Sequence, residues 1–356
     1  MDLTFKADYE QCLARFEAWW HGQIIDRPPV TTYIKRPPPP MPEKTHATLR
    51  EWWMDVEYAL DRAEASMKTA TYFAETFPQY WPNLGPEIVG TLFGCELDFN
   101  ERSSWSRPVA TTCRQVLGMK PDFDNVYWQT IRRMTKLSIE RGKGRWLTGL
   151  SDFHTNADLL ASLLDPQEVC LQYADDFEGA KLACEHVTDF FADIYEDCWK
   201  LIEPTGQPST SWLVAPHMGK SYATSCDLIC MVSPQVFQEA IRPSLVREMQ
   251  YLDCNIFHLD GPGALKHLDS LLEIKELNAI QWVYGAGQGT AKDWIDVYKR
   301  IQAGGKGIQL LASDYADALA VMEHLRPEGV WITVNTSYTL DEANAFLKTV
   351  QKWAGK

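Results

Sequence analysis

The chain has 356 residues, of which 45% are hydrophobic, and it carries 34 basic against 48 acidic residues. The formal net charge of −14 would repel a phosphate backbone, which argues against a nucleic-acid-binding protein. The sequence shows no secretory signal and no apolar window long enough to cross a bilayer, and its nine cysteines are odd in number and scattered. We therefore expect a globular cytoplasmic protein, without a membrane segment or a disulfide framework.

Short β-rich segments alternate along the chain with long amphipathic stretches, which is the pattern of βα units around a parallel sheet. An N-terminal helix over Asp8–Trp20 comes first, in a helical extension that covers residues 1–28. Hydrophobic residues at helical spacing predict further helices over Asp175–Leu201 and Pro234–Leu252. Eight segments are predicted to be strands: Pro29–Tyr33, Gln79–Trp81, Arg145–Leu150, Ser211–Val214, Asn255–Leu259, Ala279–Val283, Gly307–Leu311 and Val330–Val334.

Eight strands that alternate with helices predict a protein of the α/β class, a (β/α)8 TIM barrel. We expect one domain over residues 1–356, since no linker or internal repeat divides the chain. One addition to the barrel is predicted over Cys95–Pro108, where short extended pieces indicate a small hairpin.

In such barrels the reactive groups lie at the carboxyl ends of the strands or in the loops that follow them. We therefore predict that His154, His258 and Asp260 are catalytic. The same rule predicts these substrate-binding residues: Tyr33, Lys35, Arg36, Trp81, Asn83, Trp212, His217, Gln281, Trp282 and Asn335.

His258 and Asp260 form a His-x-Asp pair at the end of the predicted fifth strand. Residues two apart in a strand point the same way, so both side chains can face the barrel mouth. Such a pair can bind a divalent metal, or it can act as a general base with its orienting partner. Equally, Asp260 can cap the next helix while His258 is an ordinary histidine at the rim. Spacing alone leaves these interpretations open.

Three stretches of the sequence resemble the uroporphyrinogen decarboxylase superfamily, over nearly the whole chain. They are Arg15-Phe16-Glu17-Ala18-Trp19-Trp20 with Asp26-Arg27-Pro28-Pro29-Val30, then Asp227 with Ser233-Pro234-x-x-Phe237 and Pro243, and then Phe257-His258-Leu259-Asp260-Gly261 with His267-Leu268-Asp269 and Ile280-Gln281-Trp282. The resemblance implies the same barrel fold.

Two branches of that superfamily imply different chemistry. The haem-pathway decarboxylases bind substrate carboxylates with an R-Q-A-G-R segment after strand one, where this chain has Ile34-Lys35-Arg36-Pro37-Pro38. The resemblance to that branch is therefore incomplete. The corrinoid-dependent methyltransferases hold zinc with H-x-C on strand five and a cysteine after strand eight. Here His258 matches the first ligand, Asp260 replaces the second, and Val334-Asn335-Thr336-Ser337 replaces the third.

From this resemblance we expect a methyltransferase that moves a methyl group between a small methylated substrate and a corrinoid protein. Zinc would be held by His258 and Asp260, and the corrinoid would belong to the partner protein. The alternatives are a metal-independent carboxy-lyase that acts on a small carboxylic acid or tetrapyrrole, and a non-catalytic barrel that binds a corrinoid or tetrapyrrole. We expect a monomer or a homodimer.

Overall fold

The computed structural model describes residues 3–355, and this part of the chain contains ten strands. The strands are β1 (Val30–Ile34), β2 (Gln79–Tyr80), β3 (Leu97–Phe99), β4 (Ser104–Ser106), β5 (Leu147–Thr148), β6 (Ser221–Ser225), β7 (Cys254–Asp260), β8 (Ala279–Val283), β9 (Gly307–Ala312) and β10 (Val330–Tyr338).

Six of these strands form one curled sheet in the order β1-β10-β9-β8-β7-β6, and all its neighbouring pairs are parallel. β2 and β5 form a separate parallel pair. β3 and β4 form the antiparallel hairpin that was predicted within Cys95–Pro108. The protein is therefore a mixed α/β protein, and its main sheet contains five of the eight predicted strands together with β6, which was not predicted.

Within the described residues, fifteen helices connect and cover the strands. They are α1 (Tyr9–Trp20), α2 (Leu49–Met54), α3 (Val56–Thr69), α4 (Cys113–Val116), α5 (Val126–Gly142), α6 (Asn156–Leu164), α7 (Pro166–Asp175), α8 (Phe177–Thr188), α9 (Phe191–Ile202), α10 (Pro234–Val236), α11 (Arg242–Tyr251), α12 (Leu268–Leu272), α13 (Ile295–Ala303), α14 (Tyr315–Met322) and α15 (Leu340–Trp353). Short 3-10 turns cover Ile88–Phe93, Glu203–Thr205, Asp227–Met231, Pro262–His267 and Ala291–Trp294. No helix within residues 3–355 combines the length and the apolar character that crossing a bilayer requires.

The predicted helix over Pro234–Leu252 is interrupted by a π turn at Phe237–Ile241. Its start is as expected, since the Ser233 hydroxyl accepts a hydrogen bond from the backbone N–H of Val236 at 3.2 Å. Pro243 lies in the first turn of α11 and has no N–H to donate, so the regular hydrogen-bond ladder breaks just before it.

The predicted fourth strand, Ser211–Val214, is wrong. This segment lies in a loop whose ends are joined by backbone hydrogen bonds between Ser209 and His217, and the strand follows as β6. Leu213 and Ala215 of the loop are buried in the same cluster as Ala223 and Ile256 of the sheet. The apolar character of the segment therefore comes from packing against the sheet and not from a strand.

Side chains alternate between the two faces of the sheet along β7 and β8. Phe257 and Leu259 are fully buried among the residues that pack against the helices. His258 lies on the opposite face, where it contacts Gln281 of β8. This alternation, with its period of two, brings polar groups of neighbouring strands together inside the curve of the sheet.

The N-terminal helix is fastened to the rest of the chain by an ion network around the fully buried Glu75. The Glu75 carboxylate accepts hydrogen bonds from Arg15 at 2.9 Å, from Arg27 at 2.6 and 3.0 Å, and from the backbone N–H of Val30 at 2.7 Å. Arg15 also pairs with Asp26 through two hydrogen bonds. The Arg15 and Asp26-Arg27 positions of the resemblance thus tie α1 to the start of β1.

Candidate active site

Six titratable side chains meet near the carboxyl ends of β5, β6 and β7. We call them the His–Asp cluster: Asp152, His154, Asp158, Asp227, His258 and Asp260. The cluster contains two groups of three residues, and within each group one ligand atom per residue lies within 4.8 Å of the other two. His154, Asp158 and Asp227 form the first group, and Asp227, His258 and Asp260 form the second. Asp227 is common to both.

Local structure places each member of the cluster. Asp152 and His154 lie in the loop between β5 and α6, and Asp158 lies in the first turn of α6. Asp227 begins the 3-10 turn after β6, where its own backbone N–H donates to Asp158 Oδ2 at 2.8 Å. The cluster therefore combines three consecutive strand ends, as the rule for parallel βα structures predicts.

His154 lies between two carboxylates. Its Nε2 is 2.9 Å from Asp152 Oδ1, and its Nδ1 is 3.5 Å from Asp158 Oδ2. Burial disfavours the imidazolium, but the negative charges of Asp152 and Asp158 outweigh it and raise the pKa of His154 well above its ordinary value. For Asp158, burial is outweighed by His154 and by the backbone N–H groups of Leu228 and Asp227, so its pKa is lowered.

Asp227 behaves in the opposite way. Burial and the neighbouring charge of Asp158 raise its pKa to about 6, although His258 and His154 favour the charged form. Two carboxyls of one cluster are thus shifted in opposite directions, a pattern that is concentrated at functional sites.

His258 is held by a line of side-chain hydrogen bonds that crosses four strands. Its Nδ1 contacts Gln281 Oε1, while Gln281 Nε2 donates to Gln309 Oε1 at 2.8 Å and Gln309 Nε2 donates to Thr333 Oγ1 at 3.0 Å. Because the Gln281 amide nitrogen is committed to Gln309, its oxygen faces His258, and Nδ1 of the imidazole carries the proton. Nε2 is then the ring nitrogen that faces away from this line, the arrangement found in metal-binding histidines. The Trp212 ring lies edge-on to the imidazole at 5.0 Å.

The alternative interpretation of Asp260 as a helix cap is wrong. The turn at Pro262–His267 begins after Gly261, and no side chain caps it. Asp260 is instead free to act with His258 and Asp227, within the second group of the cluster.

Glu248 lies buried behind the cluster. It accepts hydrogen bonds from Thr155 Oγ1 and from Asn156 Nδ2, the latter at 3.1 and 3.2 Å. Asn156 has a φ of 54°, a left-handed conformation that is uncommon for residues other than glycine. Its amide also donates to the backbone oxygen of Ser225 at 3.0 Å, so this strained residue links the loop that carries His154 to β6.

Glu248→Gln is expected to change how stability depends on pH. Burial raises the pKa of Glu248 to about 8, although the Thr155 and Asn156 hydrogen bonds act against it. Because the folded protein keeps a proton that the unfolded chain releases near pH 4.5, the wild type should lose stability as the pH rises from about 4.5 to about 8. The glutamine variant lacks this titration.

Urea denaturation at pH 5 and pH 8.5 measures this effect. Between pH 5 and pH 8.5 the wild type should lose several kcal/mol of unfolding free energy that Glu248→Gln does not lose. The size of this difference follows because one pKa unit corresponds to about 1.4 kcal/mol. Glu140→Gln, at an exposed position of α5, serves as the control and should follow the wild type. Parallel pH profiles for the wild type and Glu248→Gln would contradict the assignment.

A cavity of about 290 Å³ opens beside the His–Asp cluster. Its wall includes His154, Asp158 and Asp227, together with the apolar side chains of Leu228 and Met231. No lysine or arginine is among its lining residues within the described part of the chain. The cavity gives a small molecule access to the shared carboxylate.

Of the predicted substrate-binding residues, Trp212 and Gln281 adjoin the cluster through His258. The amide oxygen of Asn83 accepts a hydrogen bond from the backbone N–H of Gly85 at 2.6 Å, so it serves its own loop. Trp81 is half-buried, and its Nε1 is buried without a hydrogen-bond partner in the described residues.

Two predicted positions require correction. His217 precedes β6 instead of following a strand, and its Nδ1 lies 3.0 Å from Glu17 of α1. His217 therefore lies at the amino end of the sheet. It was predicted at the carboxyl end because the fourth barrel strand was predicted at Ser211–Val214 instead of at β6. Trp282 is fully buried and packs against Trp294 at 5.3 Å, on the helix-facing side of β8. Its neighbour Gln281 lies on the opposite face of β8, the face that carries His258 on β7.

Tyr33, Lys35, Arg36 and Asn335 line a second cavity, of about 460 Å³, that shares no residue with the first. Arg36 is held by Ser66 and Thr69 at the end of α3, and Lys35 lies 4.0 Å from Glu342. These four residues are brought together, but apart from the cluster.

Asp158 and Asp227 were not among the predicted site residues. Asp158 lies in the first turn of α6, just after the loop that carries His154, and this short separation in sequence is a usable signal. Asp227 was noted only within the resemblance, and the misplaced fourth strand removed it from the expected rim.

No protein-family profile matches the chain, and no curated protein matches its sequence. Among the solved structures that are similar is a methyltransferase from Methanosarcina mazei, with a TM-score of 0.63 and 12% sequence identity. The similarity covers 96% of this chain and 98% of that one. At this identity it shows a shared fold over almost the whole length.

Proposed function

We propose that this chain is a methyltransferase that moves a methyl group between a small methylated substrate and a corrinoid protein, with the help of a divalent metal. The observation that carries the proposal is the convergence of His258, Asp260 and Asp227 at the strand ends beside a cavity. The fold shared with a methyltransferase supports it.

The donor atoms suit the metal that the resemblance implies. His258 offers the free Nε2 of a correctly oriented imidazole, and Asp260 and Asp227 offer carboxylate oxygens. Imidazole and carboxylate ligands are typical of catalytic zinc and of related divalent ions. When bound, such an ion would act as a Lewis acid on a heteroatom of the substrate. His258 and Asp260 would hold it, and Gln281 would keep the imidazole oriented.

We infer that β2 and β5 complete a closed (β/α)8 barrel with the six-stranded sheet, as in the uroporphyrinogen decarboxylase superfamily. We place the protein in the cytoplasm, because all nine cysteines are free thiols.

A carboxy-lyase needs basic side chains to bind the substrate carboxylate, and the contacts of Lys220 and Arg36 weigh against this alternative. Lys220 precedes β6 and pairs with Glu196 at 2.6 Å, and Arg36 is held by the end of α3. The cavity beside the cluster carries carboxylates and no lysine or arginine within the described residues, so it would repel a carboxylate substrate.

The test is a demethylation assay with metal analysis. The purified wild type should contain zinc or a related ion and should methylate a reduced corrinoid protein when supplied with methyl ethers, methyl thioethers or methylamines. His258→Ala should lose metal from this position and most of the activity. Release of carbon dioxide that resists chelators would establish the carboxy-lyase instead, and tight corrinoid binding without turnover would establish a binding protein.

A further inference from the structure

The two groups of the His–Asp cluster have separate nitrogen ligands but share one carboxylate. His154 and Asp158 belong to the first group, His258 and Asp260 to the second, and Asp227 to both. A carboxylate has two oxygens, so one aspartate can contact two cations at once. Paired metal sites of this kind, with ions about 3.5–4 Å apart, are common in enzymes.

Within residues 3–355, the cationic side chains that pair with the aspartates of the cluster are histidines. Among residues 3–355, no lysine or arginine forms an ion pair with Asp152, Asp158, Asp227 or Asp260. Asp152 and Asp158 are both more than nine-tenths buried. These two buried carboxylates share the one imidazole of His154, and burying an excess of negative charge is costly, which favours a further cation among them.

One of these buried carboxylates has an oxygen without a hydrogen-bond donor. Asp152 Oδ1 lies 2.9 Å from His154 Nε2, but no donor in the described part of the chain forms a hydrogen bond to it. The hydrogen bonds of His154 itself are long, at 3.4 and 3.5 Å to Ser225 Oγ. Both side chains therefore have ligand capacity that the protein leaves unused.

We propose that the cluster holds a second divalent cation at His154, Asp158 and Asp227, beside the one at His258 and Asp260, with Asp227 bridging the two. This proposal rests on the metal site of the proposed function. The cation would displace any proton from His154 and would neutralise Asp152 and Asp158. Mixed imidazole and carboxylate ligands suit Zn²⁺, Mn²⁺ or Co²⁺ better than Ca²⁺, which prefers oxygen ligands alone. The adjacent cavity makes this position reachable from solvent.

Metal stoichiometry tests the proposal directly. Full-length protein is freed of metal with a chelator and titrated with Zn²⁺ by calorimetry. The wild type should bind two equivalents, and His154→Ala and His258→Ala should each bind one. His217→Ala, which changes a histidine at the opposite end of the sheet, should still bind two.

A second measurement requires no variant. The metal-free wild type loaded with Mn²⁺ should give the electron paramagnetic resonance spectrum of an exchange-coupled pair, since a shared carboxylate holds the ions close together. One equivalent in the wild type, with an uncoupled Mn²⁺ spectrum, would overturn the second site and leave the first intact. No binding at all would remove the metal from the proposed function as well.

Discussion

Asp227→Asn is expected to lower methyl-transfer activity by more than about 100-fold. The loss of an outer partner of a metal ligand alone costs about 10–100-fold, and Asp227 is placed to contact the metal itself. The measurement is the initial rate of corrinoid methylation at saturating substrate. Asp269→Asn, which removes an exposed carboxylate that pairs with Arg300, should leave the rate unchanged.

The same Asp227→Asn substitution should not lower the stability of the metal-free protein, although it lowers the activity. Burial and Asp158 raise the pKa of Asp227 to about 6, so its charged form opposes folding once the pH rises above that of the unfolded carboxyl, near 3.8. In chelator-treated protein at pH 8, Asp227→Asn should therefore be at least as stable as the wild type by urea denaturation. A variant that is both inactive and clearly less stable would assign Asp227 a structural role.

Glu75→Gln is expected to destabilise the protein by about 3–5 kcal/mol. The substitution removes the charge that compensates the buried guanidinium groups of Arg15 and Arg27. One oxygen is also lost from a carboxylate that accepts four hydrogen bonds. The loss should appear as a lower denaturation midpoint in urea with little change in slope.

Asp98→Asn is the matched control for that experiment. Asp98 pairs with Arg107 through two hydrogen bonds, but both side chains are more than half exposed. Exposed pairs contribute about 0–1 kcal/mol, so this variant should resemble the wild type. Equal losses of unfolding free energy in the two variants would show that the buried network around Glu75 stabilises the protein no more than the exposed pair does.

The sequence was most informative where the strands are long and apolar. β7, β8, β9 and β10 begin within one residue of their predicted positions. Ala279–Val283 agrees at both ends. In these segments hydrophobic side chains pack against helices on one face, which gives a clear pattern.

The predicted fourth barrel strand, Ser211–Val214, shows why such patterns fail, since the strand in this part of the chain is β6. β6 reads Ser-Tyr-Ala-Thr-Ser, and although all five residues are buried, three are polar. Ser221 there hydrogen-bonds to Ser209, so its burial depends on a partner twelve residues away. The apolar Ser211–Val214 segment is buried as a loop, and a short apolar run does not distinguish these two cases.

The candidate site was predictable in part for the same reason. His154, His258 and Asp260 followed from the rule for strand ends, and all three belong to the cluster. Asp158 and Asp227 were missed because their proximity depends on where α6 and β6 lie relative to β7. That proximity arises from tertiary packing, and no local pattern encodes it.

The hydrogen-bonded line from His258 through Gln281 and Gln309 to Thr333 runs across the strands, at right angles to the chain direction. A shift of one residue between any two of these strands would turn one of the glutamines to the opposite face and break the line. The hydrogen-bonded line therefore depends on the register of the strands. The imidazole of His258 is correctly oriented only when all four strands are in register. A chain that has collapsed with its strands out of register would keep much of its apolar burial but would lack a working site.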